Sequence, residues 1–170
     1  MLETIYFEVP ELNLTKDQVE ELLNLYNSEE GLGYYYSNDK GMLTDLLVVW
    51  GYDKNLLIQS LENKFYSGYL DGSYFVSNYG STEHQDDNRK CVISVEIQNE
   101  HNIPVTWRLN NIEYDLYYNN KAVAIDVTQQ HSARTSPTKR IFFQFHLNEK
   151  HSFAEYKELY QSGRLLRRNS

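Results

Sequence analysis

The sequence predicts an α+β fold: a mostly antiparallel sheet of about five or six strands over residues 73–147, preceded by N-terminal helices and followed by one C-terminal helix. Two observations carry this reading. Apolar residues recur at helical spacing through the first seventy or so positions and then alternate with a period of two. A second helix-start signature follows the last alternating run. No repeat or low-complexity tract divides the chain, so residues 1–170 read as a single domain. Residues 80–90 are the best place for an internal boundary, because charge and periodicity both change there.

The elements follow in order. Thr4 to Val9 is a short strand candidate ended by Pro10. Thr15 and Gln18 match the capping box, in which a hydroxyl and an amide satisfy two free backbone N–H groups. The helix they open carries Val19, Leu22, Leu23 and Tyr26 on one face and ends at Gly31 and Gly33. Gly31 to Gly41 reads as a Tyr-rich loop, and Leu43 to Trp50 suits a buried helix or a buried strand equally. Asp53 is the next expected N-cap, for a helix with Leu57, Ile58, Leu61 and Phe65 on one face and Gly68 near its end.

From Ser73 the pattern is that of strands. Ser73 to Tyr79 is the first, residues 80–90 form a polar loop, and Cys91, Ile93, Val95 and Ile97 then alternate with other residues. Further strands are expected at Val105 to Leu109, Ile112 to Tyr118, Lys121 to Thr128 and Arg140 to Leu147. Ser152 and Glu155 form a second capping box, opening a helix whose Phe153, Tyr156, Leu159 and Tyr160 can pack on the sheet.

Composition narrows the class. At 41% hydrophobic and 14% aromatic residues the chain is too apolar for disorder. The longest apolar run, Leu46 to Trp50, is too short to span a bilayer, and the N-terminus lacks the basic and apolar regions of a signal peptide. A single cysteine, Cys91, forms no internal disulfide, which suits the cytoplasm, and its place on an apolar strand face makes it a core residue. The 15 tyrosines and scarce alanines resemble the usage of AT-rich genomes, pointing to a low-GC bacterium, a phage or another mobile element.

Charge is divided unevenly. Residues 1–87 hold 16 Asp and Glu against 4 Lys and Arg, and residues 88–170 hold 8 against 12. In the acidic half Glu29, Glu30, Tyr34, Tyr35, Tyr36, Asp39, Tyr52 and Asp53 combine negative charge with rigid contact area, the composition of an interface. Two basic patches, Arg134 with Lys139 and Arg140, and Arg164 with Arg167 and Arg168, are suited to phosphate. The pI near 5.1 argues against direct nucleic-acid binding by the whole chain.

Asn119-Asn120 suits a two-residue hairpin turn, which would set Tyr118 opposite Lys121 and Glu113 opposite Asp126. Glu113, Asp115 and Asp126 would then share one face, where a metal ion, an arginine or plain solvent must answer the like charges. The hairpin resembles the core of PD-(D/E)xK nucleases: Asp115 matches the first aspartate and Asp126 the acidic position, while Thr128 stands where that family has its lysine. The resemblance implies a divalent metal held by these carboxylates, and Thr128 leaves the water-activating role without an occupant. Glu83-His84-Gln85-Asp86-Asp87 lacks the spacing of zinc-protease helices and calcium loops and reads as a solvated acidic loop. His131, His146 and His151 fall near strand ends or loops, and no GxSxG, Walker A or GxGxxG motif occurs.

Together these features lead to the expectation of a non-catalytic binding protein, a small acidic inhibitor or immunity-type protein of anti-defence kind. It would occupy the basic surface of a nucleic-acid-processing enzyme in a bacterial host's cytoplasm, without a cofactor or a membrane. The alternative is a divergent metal-dependent nuclease using Glu113, Asp115 and Asp126, and only there is a divalent metal expected.

Overall fold

The structure, a computed structural model, describes residues 2–28, 33–37, 46–52 and 55–168, and of residues 33–37 and 46–48 the backbone alone. Its elements are β1 (Tyr6–Glu8), α1 (Lys16–Ser28), β2 (Gly33–Ser37), β3 (Leu46–Trp50), α2 (Leu56–Glu62), β4 (Leu70–Asn78), β5 (Ser81–His84), β6 (Cys91–Gln98), β7 (Val105–Leu109), β8 (Ile112–Leu116), β9 (Ala122–Asp126), β10 (His131–Ala133), β11 (Arg140–Leu147) and α3 (Phe153–Gln161). The mixed, mostly antiparallel character expected from the periodicity is present. The expected five or six strands are instead divided between two sheets, of seven strands in the order β1-β9-β6-β11-β4-β3-β2 and of four in the order β5-β10-β7-β8.

Alternation explains the layers. On the seven-stranded sheet Ile93, Val95, Ile141, Phe143, Phe145, Ala122 and Ala124 face one core together with Leu22, Ile58, Leu61, Phe153 and Tyr156 from the helices. The intervening Val92, Val123, Ile125 and Phe142 face a second core with Trp107 and Leu116 of the four-stranded sheet. Both faces of β6 and β11 are therefore buried, the helix-facing one apolar throughout and the other carrying Ser94, Glu96, Arg140 and Gln144 among its apolar residues, so the strands alternate in sequence. From β4 to β11 the chain shuttles between the sheets, the architecture of a jelly roll.

The helix ends agree with the sequence at both capping boxes. Thr15 N–H donates to Gln18 Oε1 at 2.9 Å and Gln18 N–H to Thr15 Oγ1 at 3.2 Å. Ser152 and Glu155 exchange the same pair of bonds at the start of α3. The expected N-cap of α2, Asp53, lies outside the described residues, and Asn55 caps that helix by accepting from Ile58 N–H at 3.1 Å. Within the expected Tyr-rich loop, residues 33–37 pair with 46–50 as strands, which also settles Leu46–Trp50 as β. Two short strands, β5 and β10, were hidden in polar stretches where hydrogen bonding rather than apolar alternation defines them.

One register is overturned. Asn119 and Asn120 adopt φ of 52° and 62°, and Lys121 N–H donates to Tyr118 O at 3.0 Å, as a tight turn requires. Yet β8 pairs with β7, and β9 with β6 and β1. Glu113 lies opposite Arg108, and Asp126 opposite Cys91. The turn is a corner between sheets: it folds Leu116 and Tyr118 onto Val123 and Ile125, so their apolar faces cover each other. Among the described residues no helix is long and apolar enough to cross a membrane.

Candidate metal centre

The two short strands that carry little apolar signal bring two histidines together. In the β5–β10 pair His84 and His131 stand directly opposite each other, with ring centroids 4.4 Å apart. Asp86 follows two residues after His84, and its N–H donates to Val127 O at 2.9 Å, which turns the loop inward. One carboxylate oxygen, Oδ1, then lies 3.6 Å from His84 Nε2 and 3.4 Å from His131 Nε2. The three ligand atoms lie within 4.8 Å of one another, and among the described residues this is the one such group of three.

The outer bonds settle which nitrogen faces the centre. His84 Nδ1 lies 2.8 Å from Thr82 O and His131 Nδ1 lies 2.7 Å from Gln129 O. A backbone carbonyl only accepts, so both Nδ1 atoms carry their protons and both Nε2 atoms turn toward Asp86 Oδ1. Trp107, fully buried, stacks on His131 at 5.3 Å with 23° between planes and fixes the ring from the other side. Burial opposes ionisation of Asp86, but hydrogen bonds from His131 and His84 and the charge of Arg89 outweigh it and hold the carboxyl well below its usual range. Two imidazole nitrogens and one carboxylate oxygen on one side of a point form the 2-His-1-carboxylate set that suits a non-haem Fe(II) ion with open positions.

Below this group, the sandwich interior is polar on one wall. Arg140 is 2% exposed and points between the sheets from the start of β11. Its Nε and Nη2 donate to Asn78 Oδ1 at 3.2 and 2.7 Å, and Nη1 is buried without a hydrogen-bond partner. Asn78 is itself oriented by Gly80 N–H, which donates to the same oxygen at 3.1 Å. Tyr118 and Glu96 are buried within electrostatic reach of the guanidinium. Burial raises the pKa of Glu96, against the opposing pull of its Asn99 hydrogen bond and of Arg140.

The residues singled out from sequence are distributed differently. Glu113 pairs with Arg108 at 2.7 Å, and Asp115 accepts from Thr106 Oγ1 at 2.7 Å, both on the four-stranded sheet. Asp126, on the other sheet, accepts from Thr128 N–H and Oγ1 at 3.1 and 2.5 Å, so it does not join the face that Glu113 and Asp115 share on β8, and each carboxylate has its own partner. Arg140 is withdrawn from the expected surface patch because it faces the interior, while Arg134 stays exposed and Lys139 lies over the Tyr26 ring at 5.7 Å. In the tail Arg167 donates to Asn63 O and Phe65 O, Arg168 pairs with Glu11 at 3.5 Å, and Arg164 donates to Ser162 Oγ. Tyr52, expected at an exposed acidic surface, is 7% exposed and packs edge-on against Phe75. Tyr34, Tyr35 and Tyr36 lie in β2, described by its backbone alone, and Glu29, Glu30, Asp39 and Asp53 lie outside the described residues. Cys91 is fully buried as expected, and burial pushes its thiol well up.

The expectation of a solvated acidic loop at residues 83–87 is overturned by burial. His84 and Asp86 have side chains only 10% and 12% exposed. The signal that could have found the centre is a His-x-Asp step at a strand end with a second histidine opening a later strand.

No family model matches the sequence, and no curated protein matches it. Solved structures do match in three dimensions. An oxidoreductase of the 2OG-Fe(II) oxygenase family from Burkholderia pseudomallei is 9% identical, with 86% of each chain covered and a TM-score of 0.59. A prolyl-4-hydroxylase from Pseudomonas putida is 13% identical over 88% of this chain and 96% of its own, with a TM-score of 0.55. HygX from Streptomyces hygroscopicus, solved with nickel, 2-oxoglutarate and hygromycin B bound, is 8% identical over 89% and 86%, also at 0.55. Together with the His84, Asp86 and His131 group, these likenesses overturn the expectations of a non-catalytic inhibitor or anti-defence protein, of a nuclease, and of a chain without a cofactor. At such low identity they show one thing, that this chain has the two-sheet fold of these oxygenase structures.

Proposed function

We propose that this chain is an oxygenase dependent on Fe(II) and 2-oxoglutarate. The observation that carries the reading is the convergence of His84 Nε2, Asp86 Oδ1 and His131 Nε2, with both imidazoles locked by Nδ1–H bonds to backbone carbonyls. Fe(II) with 2-oxoglutarate, when bound, supplies the electrons that activate dioxygen for oxidation of an organic substrate.

The donor set fits the metal, and the orphaned nitrogen fits the co-substrate. Arg140 Nη1 is a buried donor without a partner, which costs stability until an acceptor arrives. A carboxylate is the acceptor a guanidinium matches best. Arg140 and Gln144 share the inner face of β11, four residues and about 13 Å apart by strand rise. Gln144 accepts from Arg89, which also holds Asp86, so the two ends of this row lie at the guanidinium and beside the centre. A five-carbon dicarboxylate would place its far carboxylate on Arg140 and its near end toward the centre. Val92, Val123, Ile125 and Phe142 line the same interior and keep water from it.

Succinate formation tests the reading. The wild-type protein with Fe(II), 2-oxoglutarate and air is expected to convert 2-oxoglutarate to succinate slowly without added substrate, as followed by NMR, and Asp86→Ala is expected not to. Equal conversion by both proteins, or 2-oxoglutarate left intact and unbound by the wild type, contradicts it.

A further inference from the structure

Arg89 is a half-buried cation in contact with Asp86 of the centre. Its Nε and Nη2 both donate to Asp86 Oδ2, at 2.9 and 2.6 Å. Its Nη1 donates to the Tyr74 hydroxyl and to Gln144 Oε1, each at 2.8 Å. Gln144 in turn donates to Ser94 Oγ at 3.3 Å. One guanidinium is thereby tied to β4 and β11 and, through Gln144, to β6, neighbouring strands at the middle of the seven-stranded sheet.

The consequence concerns Asp86, which stands in a loop and would otherwise be free to rotate. A carboxylate offers a metal one oxygen or two, and a loop carboxylate can exchange between these modes. Here Oδ2 is gripped by a planar fork that lysine could not reproduce, while Oδ1 alone faces the two Nε2 atoms. Partners of a ligating group commonly fix its orientation and tune the metal it holds.

Resting on the metal-centre reading above, we propose that Arg89 is a positioning residue that holds Asp86 as a one-oxygen ligand, with Oδ1 toward the ion and Oδ2 kept away from it. The fork also preserves a donor position for other ligands, since a second carboxylate oxygen would take one of the sites left open by the three side chains.

Co(II) titration followed by visible absorption tests this apart from turnover, using the wild type, His131→Ala, Arg89→Met and Arg89→Lys, with thermal unfolding to confirm that each is folded. Co(II) uptake by the wild type that is lost in His131→Ala establishes the centre. Arg89→Met is expected to bind with a Kd more than threefold higher and with an altered ligand-field spectrum, as Oδ2 becomes free to join. If Arg89→Met does not fold, Arg89→Lys is read against the same two criteria. A Kd within threefold of wild type, or a wild-type spectrum, overturns the role of Arg89 and leaves the centre standing. A wild type that takes up no Co(II) overturns both.

Discussion

Trp107 lies flat against His131, ring centroids 5.3 Å apart and planes 23° from parallel, and its indole N–H donates to Asp126 O at 3.3 Å. A core residue of the four-stranded sheet thus serves as the backing plate of His131 on the next strand. Trp107→Ala is expected to cost about 3–5 kcal/mol of stability, the usual range for emptying a fully buried aromatic site. Urea unfolding measures it, and Trp107→Phe, which keeps a ring against His131, should lose less.

Gly80 marks the crossing from β4 to β5. Its φ is +131°, and a Cβ there would meet Arg134 O at 2.9 Å and Thr135 Cα at 3.1 Å, both backbone atoms. Gly80→Ala is therefore expected to destabilise by more than about 1 kcal/mol, through strain as well as contact. Because Gly80 N–H orients Asn78, the same substitution should also weaken 2-oxoglutarate binding, measurable by calorimetry.

Much of the fold was legible where burial is two-sided or a cap is complete. Cys91 to Ile97 and Ile141 to Leu147 announce themselves by alternation because one set faces the helices and the other the second sheet. Thr15 with Gln18 and Ser152 with Glu155 act through local hydrogen bonds that sequence spacing alone dictates. Strand partnership is not local. Asn110-Asn111 and Asn119-Asn120 have the same left-handed backbone, yet the first closes the β7–β8 hairpin and the second turns a corner between sheets. The centre was hidden for the same reason. His84 and Asp86 are visible as neighbours, but His131 joins them only through the β5–β10 pairing, and Arg140 reads as surface charge until the strand faces are assigned.

Asn78 offers a substitution that alters charge at the site with little change of shape. Its Oδ1 already accepts from Arg140 Nε and Nη2, so Asn78→Asp keeps the acceptor and adds a negative charge against the guanidinium. The fold should persist, while 2-oxoglutarate affinity should fall by about tenfold or more because the anchoring charge is balanced internally. Calorimetric titration of the metal-loaded protein reads both parts.

His146 sets a pH dependence of stability. Its pKa is lowered, first by burial and then by the charge of Arg89, against weaker opposing pulls from Asp71, Glu149 and Asp86. The unfolded chain thus binds the proton more readily, so stability present above pH 6.5 is lost as pH falls from there toward the lower folded value. Urea unfolding between pH 7.5 and pH 5.5 should show a smaller loss for His146→Gln than for the wild type, and equal losses would refute this assignment.

On the proposed function, His84, Asp86 and His131 hold an iron ion and Arg140 takes the far carboxylate of 2-oxoglutarate. Anaerobic addition of Fe(II) and then 2-oxoglutarate, followed by visible absorption, reports both events at once through the metal-to-ligand charge-transfer band of the chelated keto acid. The account predicts a band that saturates in the wild type, is absent in His131→Ala, and needs a much higher 2-oxoglutarate concentration in Arg140→Met. A wild type without the band, or a band that persists unchanged in His131→Ala, contradicts it.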